Sequence, residues 1–503
     1  MSEKMNVLFI ITDQQRADHL GCYGNRDLRT PNIDSLANDS VRFSNAFCAN
    51  PMCMPNRASL LTGLYPNMHG VRSNGINLPE NIPTMTDTLR DRDWYTKAIG
   101  KMHFQFYFPP FKRTSKSYEM VSTWIRSKNP EKVRKRFEKP YYGFEDVEMT
   151  LGHGDLVCGH YFDWLEKKLP SVLPKIKKRF TSFFETLMYD TELTEEAYNT
   201  TYIKERTINF LENYTKGDYG EKPFFLHCSF PDPHHPVCPP GKYKDMYDLD
   251  EIELPSSFKY KEQLYEHPFL KRYVKDPVFR GALLRESTEQ EIRQFIASTY
   301  GSISMIDDAV GEILNSLSKL GLEDNTMIVY TSDHGDLSGD HGLLLKGPSP
   351  YKGVLNVPLL WKVPGLTKKS VSESLISSVD IPKTILHLLG IKERRHPPNF
   401  QGYDMSPILE DPTEKVRDCC LIEEDEEVSQ TQLRVRHLVT EDHRITLYNG
   451  FNNYGDIFST KNDPDEINNL WDKDKDLKHQ LVKKLFFENL KVQSRYPKRE
   501  ALS

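Results

Sequence analysis

Short apolar runs, separated by polar turns and by amphipathic stretches, set the pattern of this chain. "NVLFIIT" (6–12), "FFLHCSF" (224–230), "TMIVYTS" (326–332) and "VPLLWKV" (357–363) are rich in β-branched, aromatic and leucine residues. Runs of this length without strict alternation read as strands buried on both faces, the habit of parallel sheets. Between them the period lengthens. In "PNIDSLANDS" (31–40) and "STYGSISMIDDAVGEILNSLSKLG" (298–321) apolar residues recur at helical spacing. The second sets Ile303, Ile306, Val310, Ile313, Leu314 and Leu317 on one face, and Gly321 ends it as a C-cap.

Strands alternating with helices predict an α/β fold, a large and mostly parallel β-sheet sandwiched by helices. In such sheets ligands sit at the carboxyl ends of the strands, so the polar residues following each apolar run are the candidates for chemistry. From about residue 401 the pattern changes. "RVRHLVTEDHRITLYN" (434–449) reads as paired antiparallel strands and "DPDEINNLW" (463–471) leads into a terminal helix. The expected organisation is a catalytic α/β unit of residues 1–400, with a variable insert at about 104–200, and a smaller α+β subdomain of residues 401–503. Within the insert, residues 112–139 hold ten Lys or Arg against three Glu, and "KKLPSVLPKIKKRF" (167–180) is a second basic stretch. These read as a solvated helical insertion, or as a basic rim that draws anionic substrates.

Bulk composition removes several classes of function. The 503 residues carry a net charge of −6, which gives no reason to expect nucleic acid as partner. No apolar run approaches the roughly 20 residues that cross a bilayer. The opening "MSEKMNVLFIITDQ" has too short an apolar core for a signal peptide and reads as a first buried strand, so a cytoplasmic location is expected. Eight cysteines without regular spacing fit reduced thiols rather than a disulfide framework.

The ends of four apolar runs carry groups worth attention. Asp13 and Gln14 follow the first run; Asp333, His334 and Gly335 follow the third, with Lys346 among glycines beyond them. Two strand-end aspartates far apart in sequence can meet at one sheet edge, and oxygen ligands of that kind suit calcium, magnesium or manganese. "SFPDPHHPVCPP" (229–240) holds His234 and His235 among prolines, which stiffen a loop. "AIGKMHF" (98–104) ends in Lys101 and His103. In "CANPMCMPNRASLLTG" (48–63), Cys53 stands two residues before Pro55 and four before Arg57. A structural thiol, half of a disulfide, a zinc ligand and a nucleophile are all open to a cysteine there.

The whole string decides among them. Cys53-x-Pro55-x-Arg57 followed by "LLTG" resembles the signature of the type I, formylglycine-dependent sulfatases, of the alkaline-phosphatase-like superfamily. "NVLFIITDQQRADHLGCYG", "TPNIDSLANDSVRFSNAF", "GKMHF", "PHHP", "SDHGDLSGDHGLLLKG", "VDIPKTIL" and "DPDEINNL" follow in that family's usual order. The resemblance implies a sulfuric ester hydrolase in which Cys53 is oxidised to Cα-formylglycine, whose hydrate is the nucleophile. It implies one divalent metal, calcium first and manganese or magnesium next, held by Asp13, Gln14, Cys53, Asp333 and His334. Arg57, Lys101, His103, His234 and Lys346 would surround the sulfuryl group, with Asn74 a weaker candidate. His234 is the expected donor to the leaving oxygen, Lys346 the alternative, and His103 the base. The implied partners are a small-molecule or sugar sulfate ester and a formylglycine-generating enzyme; homo-oligomerisation stays open. The Asp-Gln and Asp-His pairs resemble the branch with phosphonate monoester hydrolases and choline-sulfatase-like enzymes. That keeps a phosphonate monoester or phosphodiester hydrolase as the alternative activity, and a non-catalytic anion-binding protein as the third.

Overall fold

The computed structural model describes residues 4–111, 115–126, 140–180, 186–275, 284–426 and 433–493. Most of the first basic stretch, 112–114 and 127–139, lies outside the described residues; the second forms short helices at Tyr161–Lys168 and Leu173–Arg179. The strands, in chain order, are β1 (Asn6–Thr12), β2 (Val41–Phe47), β3 (Tyr95–Lys101), β4 (Asp146–His153), β5 (Leu156–Gly159), β6 (Phe224–Ser229), β7 (Leu284–Glu286), β8 (Thr326–Ser332), β9 (Leu343–Leu345), β10 (Leu359–Lys362), β11 (Ser370–Ser377), β12 (Cys419–Glu426), β13 (Leu433–Thr440), β14 (His443–Tyr448) and β15 (Gly455–Ser459).

Nine of them make one sheet in the order β11-β2-β10-β8-β1-β6-β3-β4-β5. Its centre is parallel: β1 lies between β8 and β6, with Thr12 opposite Ser332 and Ile11 opposite Ser229. Parallel strands need both faces covered, and Val7, Leu8, Ile10, Ile11, Leu226, Met327 and Tyr330 are fully buried. One expectation fails in detail. The run "VPLLWKV" predicts a parallel strand, yet β10 runs antiparallel to both β8 and β2. Its apolar run is the same as that of a parallel strand because it is buried on both faces, so composition carries no direction.

The helices Pro31–Ala37, Asn199–Thr215 and Glu289–Lys319 pack together on one face, while Cys53–Thr62, Met85–Arg90 and Asp380–Leu388 cluster on the other. In Glu289–Lys319 the expected stripe is inward: Ile303, Ile306, Val310, Ile313 and Leu317 are buried and Leu314 is partly so. Thr288 and Glu291 close a capping box at its start, and Gly321, at φ 69°, follows Leu320 at its end. The four-stranded antiparallel sheet β12-β13-β14-β15 packs alongside. Its edge reaches the residues just ahead of Cys53: Glu423 N–H donates to the Ala49 carbonyl at 2.9 Å, and Asn50 Nδ2 to the Glu423 carbonyl at 2.5 Å.

Close packing at the strand ends leaves no room for error. Gly100 has φ 100°, and a Cβ there would sit 1.8 Å from the Ser229 carbonyl oxygen of the neighbouring strand. Both backbone conformation and space therefore require glycine one residue before Lys101. Gly100→Ala is expected to abolish soluble expression or to lower the melting temperature by about 10 °C or more, since about 3 kcal/mol at a strained, crowded backbone position is a typical cost; differential scanning fluorimetry checks it.

Candidate active site

Five consecutive parallel strands, β8, β1, β6, β3 and β4, end at one edge of the sheet, and each delivers polar residues there. Asp333 and His334 follow β8; Asp13 and Gln14 follow β1; His234 and His235 lie in the Pro-rich loop after β6; Lys101 ends β3 and His153 ends β4. The Thr12–Ser332 register sets the two aspartates side by side although 320 residues separate them. Gln14 and His103 hold left-handed backbone conformations, φ 65° and 56°, where the chain turns sharply out of β1 and β3. Such conformations cost about 1–3 kcal/mol each and cluster at functional sites.

Cys53 enters from above the sheet edge as the first residue of the helix Cys53–Thr62, every residue of which is buried. The helix starts after Met52, Asn74 Oδ1 accepts from Met54 N–H at 3.1 Å, and Gly63 ends it at φ 65°. Asn74 thus caps the helix that presents Cys53. The thiol lies 3.6 Å from Asp13 Oδ1, 3.2 Å from His334 Nε2 and 3.1 Å from Lys346 Nζ. Burial and Asp13 push its pKa up, but Lys101, Lys346 and His334, acting together, bring it below that of an ordinary thiol.

Ligand atoms of Asp13, Cys53, Asp333 and His334 all lie within 4.8 Å of one another, in full burial. This donor set fits a divalent cation. The His334 ring is fixed by Nδ1–H donating to the Gly335 carbonyl at 2.9 Å, so its Nε2 faces the cluster. Lys346 Nζ has four acceptors within reach: Gln14 Oε1 at 2.9 Å, Cys53 Sγ at 3.1 Å, His234 Nε2 at 2.8 Å and His334 Nε2 at 3.0 Å. The Gln14 amide stands beside the cluster, its oxygen on Lys346 and its Nε2–H donating to Asp336 Oδ2 at 2.6 Å. Burial pulls the Asp13 pKa upward, yet Lys101 and the surrounding cations hold it well below the usual carboxylate range.

The cationic side chains divide their contacts. Arg57 Nε donates to Asp333 Oδ2 at 2.7 Å, and its Nη1 donates to the Lys101 carbonyl and to Ser229 Oγ, both at 2.9 Å. Its Nη2 is buried without a hydrogen-bond partner, 3.9 Å from Asp13 Oδ2. Arg57 therefore braces both aspartates. Lys101 Nζ is paired with Asp13 and donates to His153 Nε2 at 2.8 Å. His234 Nδ1–H donates to the His235 carbonyl at 2.6 Å, which leaves Nε2 to accept from Lys346. Burial, with His153 and Lys346 nearby, holds His234 well below an ordinary imidazole, so it is neutral. His103 is also neutral, its pKa lowered by burial and then by Lys101, and its ring stacks on Tyr107 at 3.8 Å.

Sequence patterns missed His153, Tyr107 and Glu119, all in the insert. Glu119 accepts N–H bonds from His103, Phe104 and Gln105 at 2.7, 2.9 and 3.2 Å and the Tyr141 hydroxyl at 2.6 Å, tying down the loop that bears His103. Burial raises its pKa to about 7 against these donors. A carboxyl raised on folding stabilises fully below its unfolded pKa and loses that contribution as pH rises through its folded value. The stability gap between wild type and Glu119→Gln is therefore expected to be widest at pH 5 and to shrink by roughly 3 kcal/mol by pH 8; paired denaturant titrations measure it.

None of the eight cysteines is joined in a disulfide. No helix among the described residues is long and apolar enough to cross a membrane.

A Sulfatase family model matches residues 5–391, and a model for the C-terminal part of N-sulphoglucosamine sulphohydrolase matches residues 339–493. The chain is 27% identical to the uncharacterized sulfatase YidJ of Escherichia coli (strain K12), covering 93% of this chain and 84% of that protein. It is 29% identical to an arylsulfatase of Clostridium perfringens (strain 13 / Type A), over 82% and 80% of the two chains. Its fold superposes on the phosphonate monoester hydrolase of Agrobacterium radiobacter with a TM-score of 0.78 at 22% identity, covering 99% and 98% of the chains. With a family model spanning most of its length, the chain belongs to the sulfatase family.

Proposed function

We propose that this protein hydrolyses sulfate monoesters at the cluster of Asp13, Cys53, Asp333 and His334, with Cys53 acting after oxidation to Cα-formylglycine. The observation that carries the reading is the meeting of Cys53 with two buried aspartates, His334 and Lys346 at the carboxyl edge of one sheet. In support of the metal, the two carboxylates and the Gln14 amide are hard oxygen donors, which favour calcium; manganese and magnesium are the alternatives that His334 admits. When bound, the cation and the aldehyde hydrate would supply charge neutralisation and an oxygen nucleophile at residue 53.

The side chains of this chain do the rest. Lys101, Lys346 and Arg57, whose Nη2 has no other hydrogen-bond partner, form a buried, oriented cationic array against which a sulfuryl group is neutralised, and fixed charges of this kind usually contribute more to the rate than any other single effect. The proton for the leaving oxygen comes from Lys346, the alternative donor that the family resemblance allows. His234, the donor expected from the sequence, is held as a neutral acceptor by its own backbone bond and by Lys346. In this reading neutral His103 takes the proton released when sulfate departs. The catalytic unit in this reading is residues 1–400, and the antiparallel sheet of residues 401–503 supports the entry to Cys53. A cytoplasmic site of action, activation by a formylglycine-generating enzyme, and a small-molecule or sugar sulfate as substrate belong to the same proposal.

A panel of 4-nitrophenyl sulfate and an aryl phosphonate monoester, assayed on one preparation of known aldehyde content, tests it. The sulfate is expected to give the higher kcat/KM. A phosphonate monoester turned over faster would replace the sulfatase reading with the alternative, and turnover of neither would leave an anion-binding protein.

A further inference from the structure

The hairpin of β4 and β5 brings into the site an imidazole that no motif announces, and we propose that His153 is a positioning residue for both Lys101 and His234. The proposal rests on the reading of this cluster as a sulfate ester hydrolase. His153 Nε2 accepts from Lys101 Nζ at 2.8 Å, and its ring stacks on that of His234 with centroids 3.7 Å apart and planes 13° from parallel. His234 in turn stacks on His235 at 4.2 Å. One side chain therefore touches two of the groups that surround the sulfuryl site, from two different strands.

The hairpin is built to hold that ring. Asn199 Nδ2 donates to the Gly154 carbonyl at 2.8 Å, and Asp155 accepts from Thr191 Oγ1 at 2.6 Å and also from Tyr189 and Arg179. Gly154 has φ 57°, and a Cβ there would meet the Pro236 carbonyl at 2.4 Å, so the tip closes on the same Pro-rich loop that carries His234. The His153 side chain is 18% exposed, whereas Lys101 and Asp13 beneath it are fully covered. It roofs the Lys101–Asp13 pair at the solvent edge.

The physical consequence concerns aim. A lysine ammonium on four methylenes has no preferred direction of its own. With one proton on Asp13 and one on His153, the Lys101 ammonium has a single N–H left for substrate oxygen. The stacked ring likewise fixes the plane of His234, whose Nε2 receives the Lys346 proton. Groups aimed this way contribute to the transition state more than to ground-state binding, so their loss falls on kcat.

Three full-length variants, matched for aldehyde content and melting temperature, test the proposal on whichever ester the wild type turns over fastest. His153→Ala is expected to lower kcat by about 10- to 100-fold with KM within about threefold. His153→Gln, which keeps an acceptor for Lys101, recovers part of that loss. A second readout needs no turnover: carbethoxylation of His234 by diethyl pyrocarbonate, followed by mass spectrometry, is expected to accelerate at least about fivefold in His153→Ala and to stay slow in His153→Phe, which keeps the stacked ring. Wild-type kcat in His153→Ala, a loss confined to KM, or unchanged His234 labelling would each overturn the proposal. Where His153→Ala does not fold, His153→Phe must still lower kcat while protecting His234, and failure of either overturns it. A wild-type preference for phosphonate esters would sink the sulfatase reading and leave this comparison intact.

Discussion

Replacing Cys53 by alanine is expected to lower turnover of a sulfate ester by roughly 10⁴-fold or more while leaving the fold in place, because residual catalysis by a charge array without its nucleophile is small. The reasoning is chemical. The hydrogen-bonding neighbours of the thiol each retain other partners when the sulfur is gone: Lys346 keeps Gln14 and His234, Asp13 keeps Lys101, and His334 keeps the Gly335 carbonyl. The helix keeps its Asn74 cap and its Gly63 terminus. Activity and stability therefore separate. Cys53→Ser sharpens the point. A serine offers one hydroxyl, so a sulfated serine has no second oxygen on the same carbon to expel sulfate and must wait for outside water. A single slow turnover is expected from it, whereas a hydrate carries both oxygens. Steady-state rates and melting curves for the two variants check this; an alanine variant with wild-type rates would end the covalent scheme.

Dialysis against a chelator is expected to abolish turnover and also to lower the melting temperature, both restored by one divalent cation. Asp13 and Asp333 are fully buried within reach of each other, with Arg57 and Lys101 as their protein counter-charges. Bringing two carboxylates together in burial is costly unless cations are close. A cation held a thousandfold above its dissociation constant adds about 4 kcal/mol to folding stability. Adding calcium, manganese and magnesium separately to the chelated protein, with both activity and melting followed, identifies the metal. Asp333→Asn leaves Arg57 without its closest charge partner and is expected to reproduce the chelated state even in excess cation. Unchanged activity after exhaustive chelation would mean that the reaction needs no metal.

Much of this site was legible in the sequence because its parts sit in motifs with local causes. Asp13 and Asp333 each follow a strand visible as an apolar run, and Cys53 stands in a string specific enough to place the rest. Arg57 was legible as a residue, but its work was not: its Nε contact with Asp333 is a property of the folded sheet edge. The direction of β10 was hidden because burial on both faces erases the alternation that distinguishes strand orientations. His234 was found, and its state as an acceptor was not, since that depends on the Lys346 contact 112 residues away. His153 and Glu119 were invisible for a different reason. A lone histidine before a glycine, or a glutamate in a basic stretch, has no spacing partner in sequence; His153 acquires meaning only when β4 is laid beside β3 with Thr150 opposite Lys101, and Glu119 only when its carboxylate folds back onto the N–H groups of residues 103–105.

The central claim is that residue 53, once converted from thiol to aldehyde, supplies the attacking oxygen. Mass spectrometry of the tryptic peptide 43–57 quantifies the aldehyde fraction in preparations made with and without a formylglycine-generating enzyme, and sulfate ester turnover is measured on the same samples. Turnover proportional to the aldehyde fraction, vanishing where only the thiol is present, is the predicted result. Full turnover in a preparation whose peptide 43–57 carries only the thiol would contradict it.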